Sequence, residues 1–392
     1  MIPFKKNTTC VIALLPGVQL FGSERGNIQA LLALKSSGIR VVVGVSNRTK
    51  AGGPVGDLVR EFGFETFELP YGGNFDWYQM RTIKSYRRRQ IKRLWTNSLL
   101  LLKAIKQYNA THVITGSLLA FLFCGIALTL KRVKLIYRMG DAPEATSYFQ
   151  LTLWKWMVRR ANLIVAISNF IKTQADSNSN WAARKIHVIR NPLVKRPGEI
   201  DTLKVNQLQS TKSYMQLVYV GQITPQKGIK ELVESLIKLD NPAIGCWIVG
   251  GSRYTQQFEQ ELMNCVKESR SRTKIEFHGF QADPRPYYAA SDWHVAPSKY
   301  EEPLGNVVQE AKSHSVPSII SPHGGLPELV THGVDGFILP TITAQAIADQ
   351  LNEIRHKEDR WNDYGEAALA SLEKNLNQEE FNRKWYMLFR SI

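Results

Sequence analysis

Short apolar runs alternate with longer, mixed segments along this chain. The runs are rich in Val, Ile and Leu, which is typical of strands buried on both faces, and the segments between them carry apolar residues at helical spacing. Strands and helices in alternation predict parallel sheets flanked by helices. The predicted strands are Cys10–Leu15, Val41–Val45, His112–Thr115, Lys134–Met139 and Leu163–Ile167, followed by Leu217–Val220, Cys246–Val249, Lys274–Phe277, His294–Ala296 and Pro317–Ile320.

A polar segment with few large apolar residues, residues 195–213, separates the two series of strands. The chain has 392 residues, which is more than one hydrophobic core usually holds. We therefore expect an N-terminal domain over residues 1–193 and a C-terminal domain over residues 194–377, connected through the polar segment. Because open parallel sheets bind ligands at the carboxyl ends of their strands, two such domains that face each other would form a cleft.

The composition argues against several classes of protein. The four cysteines and eight histidines show none of the spacings that bind a metal or form a redox pair, so neither a metal nor a cofactor is expected. The apolar run Val11–Leu15 is too short for an export signal, and we expect a cytoplasmic protein. Val113–Leu130 has 18 residues without a charge. It is either a membrane span or, as we expect, a strand and a helix separated by a turn at Gly116.

Positive charge is concentrated in the first half of the chain. Residues 1–190 contain 28 Lys and Arg against 9 Asp and Glu, whereas the remainder contains 22 against 25. The densest stretch, from Arg81 to Arg93, would be a surface helix that rests on anionic lipid, guides an anionic acceptor, or is only a solvated face. No motif for reading nucleic acid accompanies it. Its central basic residues are Arg87, Arg88, Arg89, Lys92 and Arg93.

The strongest candidate for chemistry is the segment from Glu302 to Glu310. Pro303 and Gly305 suit a tight turn before a predicted helix, and the backbone N–H groups at the positive start of a helix bind anions. A carboxylate accepts hydrogen bonds from two adjacent hydroxyls, so Glu302 would hold a hexose and Glu310 a ribose, with a diphosphate between them. The alternative is a solvated helix start with a capping carboxylate. The N–H groups expected to bind the diphosphate are those of Gly305, Asn306 and Val307.

Glu302 and Glu310 stand in the pattern E-x-x-G-x-x-x-x-E-A, which resembles the paired-glutamate motif of glycosyltransferase family four, a large family of retaining GT-B enzymes. Other segments resemble the family in the same order: Ser291–Ser298 its A-D-x-x-x-x-P-S strand, His323–Val330 its glycine-rich turn and Gly333–Phe337 its G-x-x-G. The resemblance covers nearly the whole chain. It implies α/β architecture of the GT-B type, two Rossmann-like domains facing a central cleft, with the last helix, residues 378–392, crossing back onto the first.

A second resemblance concerns the family's G-R-x-x-x-x-K-G loop, whose Arg and Lys neutralise the diphosphate of the donor. Gly221 and Lys227 match this pattern, but Gln222 stands at the Arg position and brings no charge. The resemblance implies that Lys227, Glu302 and Gln222 form the catalytic set and that Gly221 belongs to the donor site. An exposed lysine near a helix start is the alternative for Lys227.

In the first domain, Gly22-Ser23-Glu24 resembles the family's G-G-x-E loop, with Phe21 in place of the first Gly. Gly22 would let the backbone approach the phosphate or the acceptor closely. Ser23 and Glu24 are candidates for contact with the acceptor, and Ser23 would otherwise cap the following helix.

The position at which the family usually carries a His near the reacting carbon is Gly140 in this chain. The role of that His therefore has no counterpart here. Its neighbours Arg138 and Asp141 are candidates for contact with the acceptor or the donor. Otherwise Arg138 pairs with Asp141, and Asp141 caps a helix.

The predicted reaction moves a hexose-type sugar from a nucleoside diphosphate sugar to an acceptor hydroxyl, and the resemblance to the family implies that the glycosyltransferase is retaining and metal-independent. The expected partners are the nucleotide sugar, an acceptor sugar or glycolipid and an anionic membrane surface on the cytoplasmic side, but no nucleic acid. Because Gln222 and Gly140 depart from the family, a sugar-nucleotide-binding subunit without turnover is one alternative. A related GT-B epimerase or phosphorylase is the other.

Overall fold

The computed structural model of the chain forms two compact units. Unit 1 comprises Met1–Val194 together with Gln378–Ile392, and unit 2 comprises Lys195–Asn377. The border follows Val194, next to the boundary expected from the sequence. The residues that the structure describes are 9–19, 22–49, 52–71, 77–130, 133–141, 148–178, 186–193, 198–252, 256–375 and 377–392.

Parallel strands form the sheet of unit 1. They are β1 (Cys10–Leu15), β2 (Arg40–Ser46), β3 (Glu65–Leu69), β4 (His112–Thr115), β5 (Lys134–Met139), β6 (Leu163–Ala166) and β7 (Ile186–Val188). Their order in the sheet is β3-β2-β1-β4-β5-β6-β7, so the direction of chain progress reverses between β1 and β4.

Helices cover this sheet, because consecutive parallel strands are joined by crossover connections that usually contain a helix. Among the described residues they are α1 (Gly22–Ser36), α2 (Gly53–Glu61), α3 (Trp77–Thr82), α4 (Lys84–Gln107), α5 (Leu118–Leu130), α6 (Tyr148–Arg160) and α7 (Asn169–Asn178). The segment Val113–Leu130 is therefore a strand and a helix, as expected, and no helix within the described ranges is both long and apolar enough to cross a membrane.

Unit 2 repeats the plan with a second parallel sheet. Its strands are β8 (Met215–Val220), β9 (Ile244–Val249), β10 (Lys274–Gly279), β11 (Trp293–Ala296), β12 (Ser318–Ile320) and β13 (Gly336–Ile338). Its described helices are α8 (Thr202–Thr211), α9 (Ile229–Leu239), α10 (Gln256–Ser269), α11 (Arg285–Ala289), α12 (Asn306–Lys312), α13 (Ala344–Arg355) and α14 (Trp361–Asn375). The strand order is β10-β9-β8-β11-β12-β13, and the reversal falls between β8 and β11.

The last helix, α15 (Gln378–Arg390), belongs to unit 1 and packs on α1. Its aromatic residues Phe381, Trp385 and Phe389 are buried in the same core cluster as Val11 of β1 and Ile28 of α1. The aromatic stripe is therefore a core-facing helix surface, since apolar residues three to four positions apart share one face.

The polar segment between the units is more ordered than its composition suggests. Asp201 accepts a hydrogen bond from the backbone N–H of Lys204 (3.0 Å) and so caps the N-terminus of α8. Leu208 of this helix is buried against the second sheet, in a cluster with Val218 and Trp247. Most of the expected connection thus contributes to unit 2.

One turn in unit 2 requires glycine for two reasons. Gly228, after β8, has a φ of 68°, in the left-handed region. A Cβ atom at this position would also overlap the carbonyl oxygen of Pro297, which follows β11. The loops after these two strands therefore approach each other to backbone contact.

An alanine in the left-handed conformation costs about 1–2 kcal/mol. We expect Gly228→Ala to destabilise unit 2 by more than this, because its Cβ would also overlap the carbonyl oxygen of Pro297, which is part of the backbone of the neighbouring loop. The control is Gly333→Ala: Gly333 has a φ of 75°, but a Cβ there would have no neighbour within 4 Å, so this variant isolates the penalty for φ. Urea unfolding of both variants gives the comparison. Equal losses of stability would contradict the close approach at Pro297.

Candidate active site

The reversal between β8 and β11 creates the expected place for a ligand in unit 2. These two strands pair directly, and the carboxyl ends of parallel strands at such a reversal are the usual place for a ligand. The loop after β8 carries Gln222 and Lys227, and the loop after β11 carries Glu302. The predicted catalytic set therefore gathers at one edge of one sheet.

The loop after β8 begins with Gly221 and Gln222. The hydroxyl of Tyr219, the penultimate residue of β8, donates a hydrogen bond to the backbone carbonyl of Gln222 (2.7 Å), which fixes the start of the loop. Burial raises the pKa of this hydroxyl, and the nearby charge of Glu302 raises it further. Tyr219 therefore stays protonated and serves as a hydrogen-bond donor. The Gln222 side chain is exposed.

Backbone hydrogen bonds join this loop to the one after β11. The N–H groups of Lys299 and Tyr300 both donate to the carbonyl oxygen of Gln226, at 2.8 and 3.1 Å. Gln226 lies in the single turn of 3₁₀ helix Pro225–Lys227. The position of Lys227 relative to the second loop is thus set by main-chain contacts, which do not depend on side-chain rotamers.

Lys227 and Glu302 form an ion pair between Nζ and Oε1, and both side chains are largely buried, with 29% and 19% exposed. The pair brings together two groups with different chemistry. An ammonium group binds phosphate as a point charge, whereas a carboxylate accepts hydrogen bonds from hydroxyls. A molecule that contains both a phosphate and a sugar matches this combination.

The backbone of Glu302 rests against a glycine-rich turn. The N–H of Gly325 donates to the carbonyl oxygen of Glu302 (2.6 Å). A Cβ at Gly324 would overlap the same oxygen, and Gly324 has a φ of 67°. The glycines of this turn are therefore explained by close packing behind Glu302, and they position its carboxylate.

Glu310 lies on α12, whose first residues follow the same loop. Gly305, with a φ of 97°, precedes the helix, and Asn306 and Val307 form its first turn. The buried hydroxyl of Tyr288 on α11 lies 3.4 Å from Oε2 of Glu310 and donates to it. Tyr288 supports the second glutamate, although no sequence motif pointed to it.

A buried ion pair anchors the other end of α12. Lys312 Nζ lies 2.7 Å from Asp335 Oδ2 and donates to Ser371 Oγ at 2.9 Å, and the two charged side chains are only 2% and 3% exposed. Asp335 also accepts from the N–H of Thr331 (2.7 Å). Burial lowers the pKa of Lys312, and the Asp335 carboxylate opposes that shift. The helix that carries Glu310 is thereby tied to the loop before β13.

The candidate residues of unit 1 begin at the start of α1. Gly22 is exposed, and Ser23 Oγ donates to Glu24 Oε2 at 2.7 Å. Because α1 begins at Gly22, Ser23 lies inside the first turn, and the alternative that it caps the helix is wrong. A Cβ at Gly17, after β1, would lie 2.6 Å from Glu24 Oε1. Phe21 lies outside the described residues.

Arg138, expected to contact the acceptor or the donor, is 2% exposed in the structure. Its Nη1 donates to Asn27 Oδ1 (2.7 Å) and its Nη2 to Asn191 Oδ1 (2.6 Å). Burial lowers its pKa to about 10, and the charge of Asp141 opposes this shift. The guanidinium thus ties β5 to α1 and to the segment that follows β7. Asp141 itself is exposed, and its contact with the acceptor stays a prediction.

The described residues contain no group of three or more His, Cys, Asp or Glu side chains arranged to hold a metal ion. Asp292, beside β11, pairs with Lys212 (2.7 Å) and accepts from the N–H of Gln216 (2.8 Å). His294 is buried next to Ser318, and burial lowers its pKa to about 3, so it is neutral. The contacts of Asp292 and His294 therefore serve the packing of β11 against its neighbours.

Two parallel-sheet units of the Rossmann type, with the terminal helix returned to the first, are the GT-B fold of glycosyltransferases. Models of the two halves of such enzymes match both units: "Glycosyltransferase Family 4" matches residues 22–193, and "Glycosyl transferases group 1" matches residues 201–370. The chain belongs to this family of glycosyltransferases.

The relatives with similar sequences are distant. The lipopolysaccharide core biosynthesis glycosyltransferase LpsE of Rhizobium meliloti (strain 1021) is 26% identical over 219 residues, which cover 56% of this chain and 58% of that protein. The match thus spans little more than half the length of LpsE. The alpha-maltose-1-phosphate synthase of Mycolicibacterium smegmatis is 28% identical over 276 residues, or 65% of this chain and 70% of that protein.

Solved structures share the fold over the whole chain. A glycosyltransferase from Rickettsia africae is 20% identical and superposes with a TM-score of 0.83 over 98% of this chain and 100% of that one. HepE from Anabaena, solved in complex with UDP and glucose, is also 20% identical, with a TM-score of 0.77 over 97% of this chain and 99% of that one. At this identity the likeness establishes the fold.

We expect Asp335→Asn to lower the free energy of unfolding by about 3–5 kcal/mol, because it leaves the buried Lys312 ammonium without its counter-charge. The matched control is the double variant Lys312→Met with Asp335→Asn, which removes both charges and should recover most of the loss. Chemical denaturation of the three proteins measures the effect. A double variant that is no more stable than the single variant would contradict this account.

Proposed function

We propose that this protein is a retaining glycosyltransferase that moves a hexose from a nucleoside diphosphate sugar to an acceptor hydroxyl. The observation that carries the proposal is the Lys227–Glu302 pair at the strand-order reversal of unit 2. The pair sets an ammonium group beside a carboxylate, and these groups are suited to bind a phosphate and sugar hydroxyls, respectively. Membership in the glycosyltransferase family supports it, as do the complexes of HepE with UDP, with UDP and glucose and with UDP-glucose.

In this proposal the residues of unit 2 hold the donor. Lys227 stabilises the negative charge that develops on the leaving diphosphate, and Gln222 contributes a hydrogen bond. The carboxylate of Glu302 accepts from hydroxyls of the hexose, and that of Glu310 accepts from the ribose. The phosphates lie near the main chain of Gly221 and of the α12 start. The groups that face the phosphates at the start of α12 are the backbone N–H groups of Gly305, Asn306 and Val307.

The proposed reaction needs no protein nucleophile. The bond between the anomeric carbon and the diphosphate oxygen breaks, and the acceptor oxygen bonds to the same face of that carbon. The acceptor proton passes to the leaving diphosphate, and Lys227 balances the charge there. No metal is required in this scheme, because the cation at the diphosphate is supplied by the protein.

We assign the acceptor to unit 1. Gly22 at the exposed start of α1 would allow close approach of the backbone, and Ser23, Glu24 and Asp141 supply polar groups near the same sheet edge. The relative LpsE is named for lipopolysaccharide core biosynthesis, and HepE binds UDP and glucose. The first name supports our proposal that the acceptor is a glycan carried on a lipid. The enzyme would then work as a peripheral protein on the cytoplasmic face of a membrane.

A second candidate is a family member that binds a nucleotide sugar without transferring it. It is favoured by Gln222, which brings no charge where the family carries Arg, and by Gly140, which offers no side chain. Such a protein would bind the donor and release neither free sugar nor a glycoside.

Incubation of the protein with a panel of nucleoside diphosphate sugars should release nucleoside diphosphate by transfer or slow hydrolysis, and NMR of the product should show the anomeric configuration of the donor. Lys227→Met and Glu302→Gln should each lower kcat/KM by about 100-fold, because each removes a charge from the reacting end of the site. The neighbouring exposed carboxylate provides the control, and Glu301→Gln should leave kcat/KM unchanged. Donor binding without release from any donor would favour the second candidate. Inversion would refute retention.

Gln222→Arg should lower the KM for the donor severalfold, since it places a positive charge at the position where the family neutralises the diphosphate. Gln226→Arg is the matched control: it adds the same charge to an exposed position of the same loop, and it should change KM little. Steady-state kinetics at fixed ionic strength separates the two. An equal effect of both variants would mean that only the overall charge of the loop matters.

A further inference from the structure

Helix α4 has an unusual composition for a helix on a protein surface. Lys84–Gln107 contains many Lys and Arg but no Asp or Glu, so none of its basic residues is neutralised within the helix. The adjacent helices α3 and α5, which pack on it, also contain no acidic residue. A solvated helix normally mixes both charges for i,i+4 pairing. All the charged side chains of this helix are therefore positive.

Specific contacts fix which face of α4 is buried. Asn97 Nδ2 donates to the carbonyl oxygen of Pro70 (3.1 Å), and Ser98 Oγ donates to that of Phe123 on α5 (3.2 Å). The other buried residues of the helix share this side and are Tyr86, Gln90, Leu101, Ala104 and Ile105. The opposite side must face outward, since a helix of fixed orientation presents its remaining positions away from the core.

The outward side contains a row of large apolar side chains. Ile91, Trp95 and Leu99 are four residues apart and 46%, 55% and 60% exposed, so they form one stripe, called the α4 stripe below. Single exposed apolar residues are common on protein surfaces, whereas an aligned row of three indicates a surface that contacts something apolar. The rest of unit 1 in the described ranges leaves this stripe uncovered.

Basic side chains surround the α4 stripe. Arg88 and Lys92 are exposed and lie on the same side of the helix, one turn apart, and Lys103 continues that side toward the C-terminus. Arg87 and Arg89 are exposed on its flanks, whereas the predicted residue Arg93 is half-buried and bonds to Gln90. The side chain of Arg81 lies outside the described ones.

We infer that α4 is a membrane-docking surface, in which the α4 stripe enters the interface of an anionic bilayer and the surrounding Lys and Arg bind its headgroups. A helix with an apolar stripe that contains Trp and is bordered by basic residues has the chemistry of an interfacial helix, because long basic side chains reach headgroups while their neighbours enter the acyl region. A nucleic acid backbone would pair with the basic residues but would leave the apolar row of Ile91, Trp95 and Leu99 without a partner.

This inference rests on the proposed function in one respect: a lipid-linked acceptor is the reason why the enzyme would need a membrane. It adds the surface that would bring the acceptor side of the enzyme to the bilayer. Binding to lipid can be measured without any sugar nucleotide, so its failure and the failure of the proposed transfer reaction are separate results.

The test is flotation of the full chain with vesicles of phosphatidylcholine containing 30% phosphatidylglycerol, and with phosphatidylcholine alone, at about 0.1 M salt. We expect binding to the anionic vesicles only. The double variant Arg88→Gln with Lys92→Gln should weaken binding by about 25-fold, because each basic residue near an anionic surface contributes a factor of about five. Trp95→Ser with Leu99→Ser should weaken it by at least about tenfold. The matched control, Lys267→Gln with Lys374→Gln, removes two exposed charges from unit 2 and should bind as the unchanged protein does.

Several outcomes would overturn the inference. It is wrong if the protein does not bind anionic vesicles, or if the unit 2 control loses as much binding as the Arg88 and Lys92 variant. It is also wrong if Trp95→Ser with Leu99→Ser binds as tightly as the unchanged protein, since the contact would then be electrostatic only. Tighter binding to duplex DNA than to vesicles, unaffected by the stripe variant, would assign α4 to nucleic acid instead. Circular dichroism confirms that each variant is folded.

Discussion

The close approach of two loops in unit 2 is the constraint on which the candidate site depends. Gly228 lies against the carbonyl oxygen of Pro297, and two N–H groups of the second loop bond to the carbonyl of Gln226. These contacts hold Lys227 beside Glu302 without help from a flexible side chain. Backbone contacts thus fix the relative position of the two residues, so their charged groups are preorganised. A site that stabilises developing charge requires such preorganisation.

Further contacts restrain the elements around the Lys227–Glu302 pair. The glycine-rich turn at Gly324 packs on the backbone of Glu302, Tyr288 supports the carboxylate of Glu310, and the buried Lys312–Asp335 pair fixes the far end of α12. Each contact restrains an element that carries one predicted donor-binding group. A buried ion pair is weak support for stability as such, but here it also determines the position of a short helix.

The fold could be predicted from the sequence where strands are central and fully buried. The bounds of β1, β4 and β5 agree with the apolar runs, because both of their faces are covered. The strands β3, β7 and β13 were missed, and all three lie at sheet edges. An edge strand is short or partly exposed, so its sequence lacks a continuous apolar run. The role of Tyr288 was also unpredictable, since its contact with Glu310 joins residues of two different helices.

Gly140 of unit 1 is one of the positions at which the chain departs from its family, and packing alone does not account for this departure. A Cβ there would meet only Arg138 Nη1 at 3.6 Å and Ser23 Cβ at 4.0 Å, both ordinary contacts, and Gly140 has no left-handed φ. Glycine is therefore not required by the backbone, unlike Gly228. Its effect is to leave space beside Ser23, at the sheet edge assigned to the acceptor. Since Arg138 is buried and held by two asparagines, one border of this space is fixed by the packing of β5 against α1.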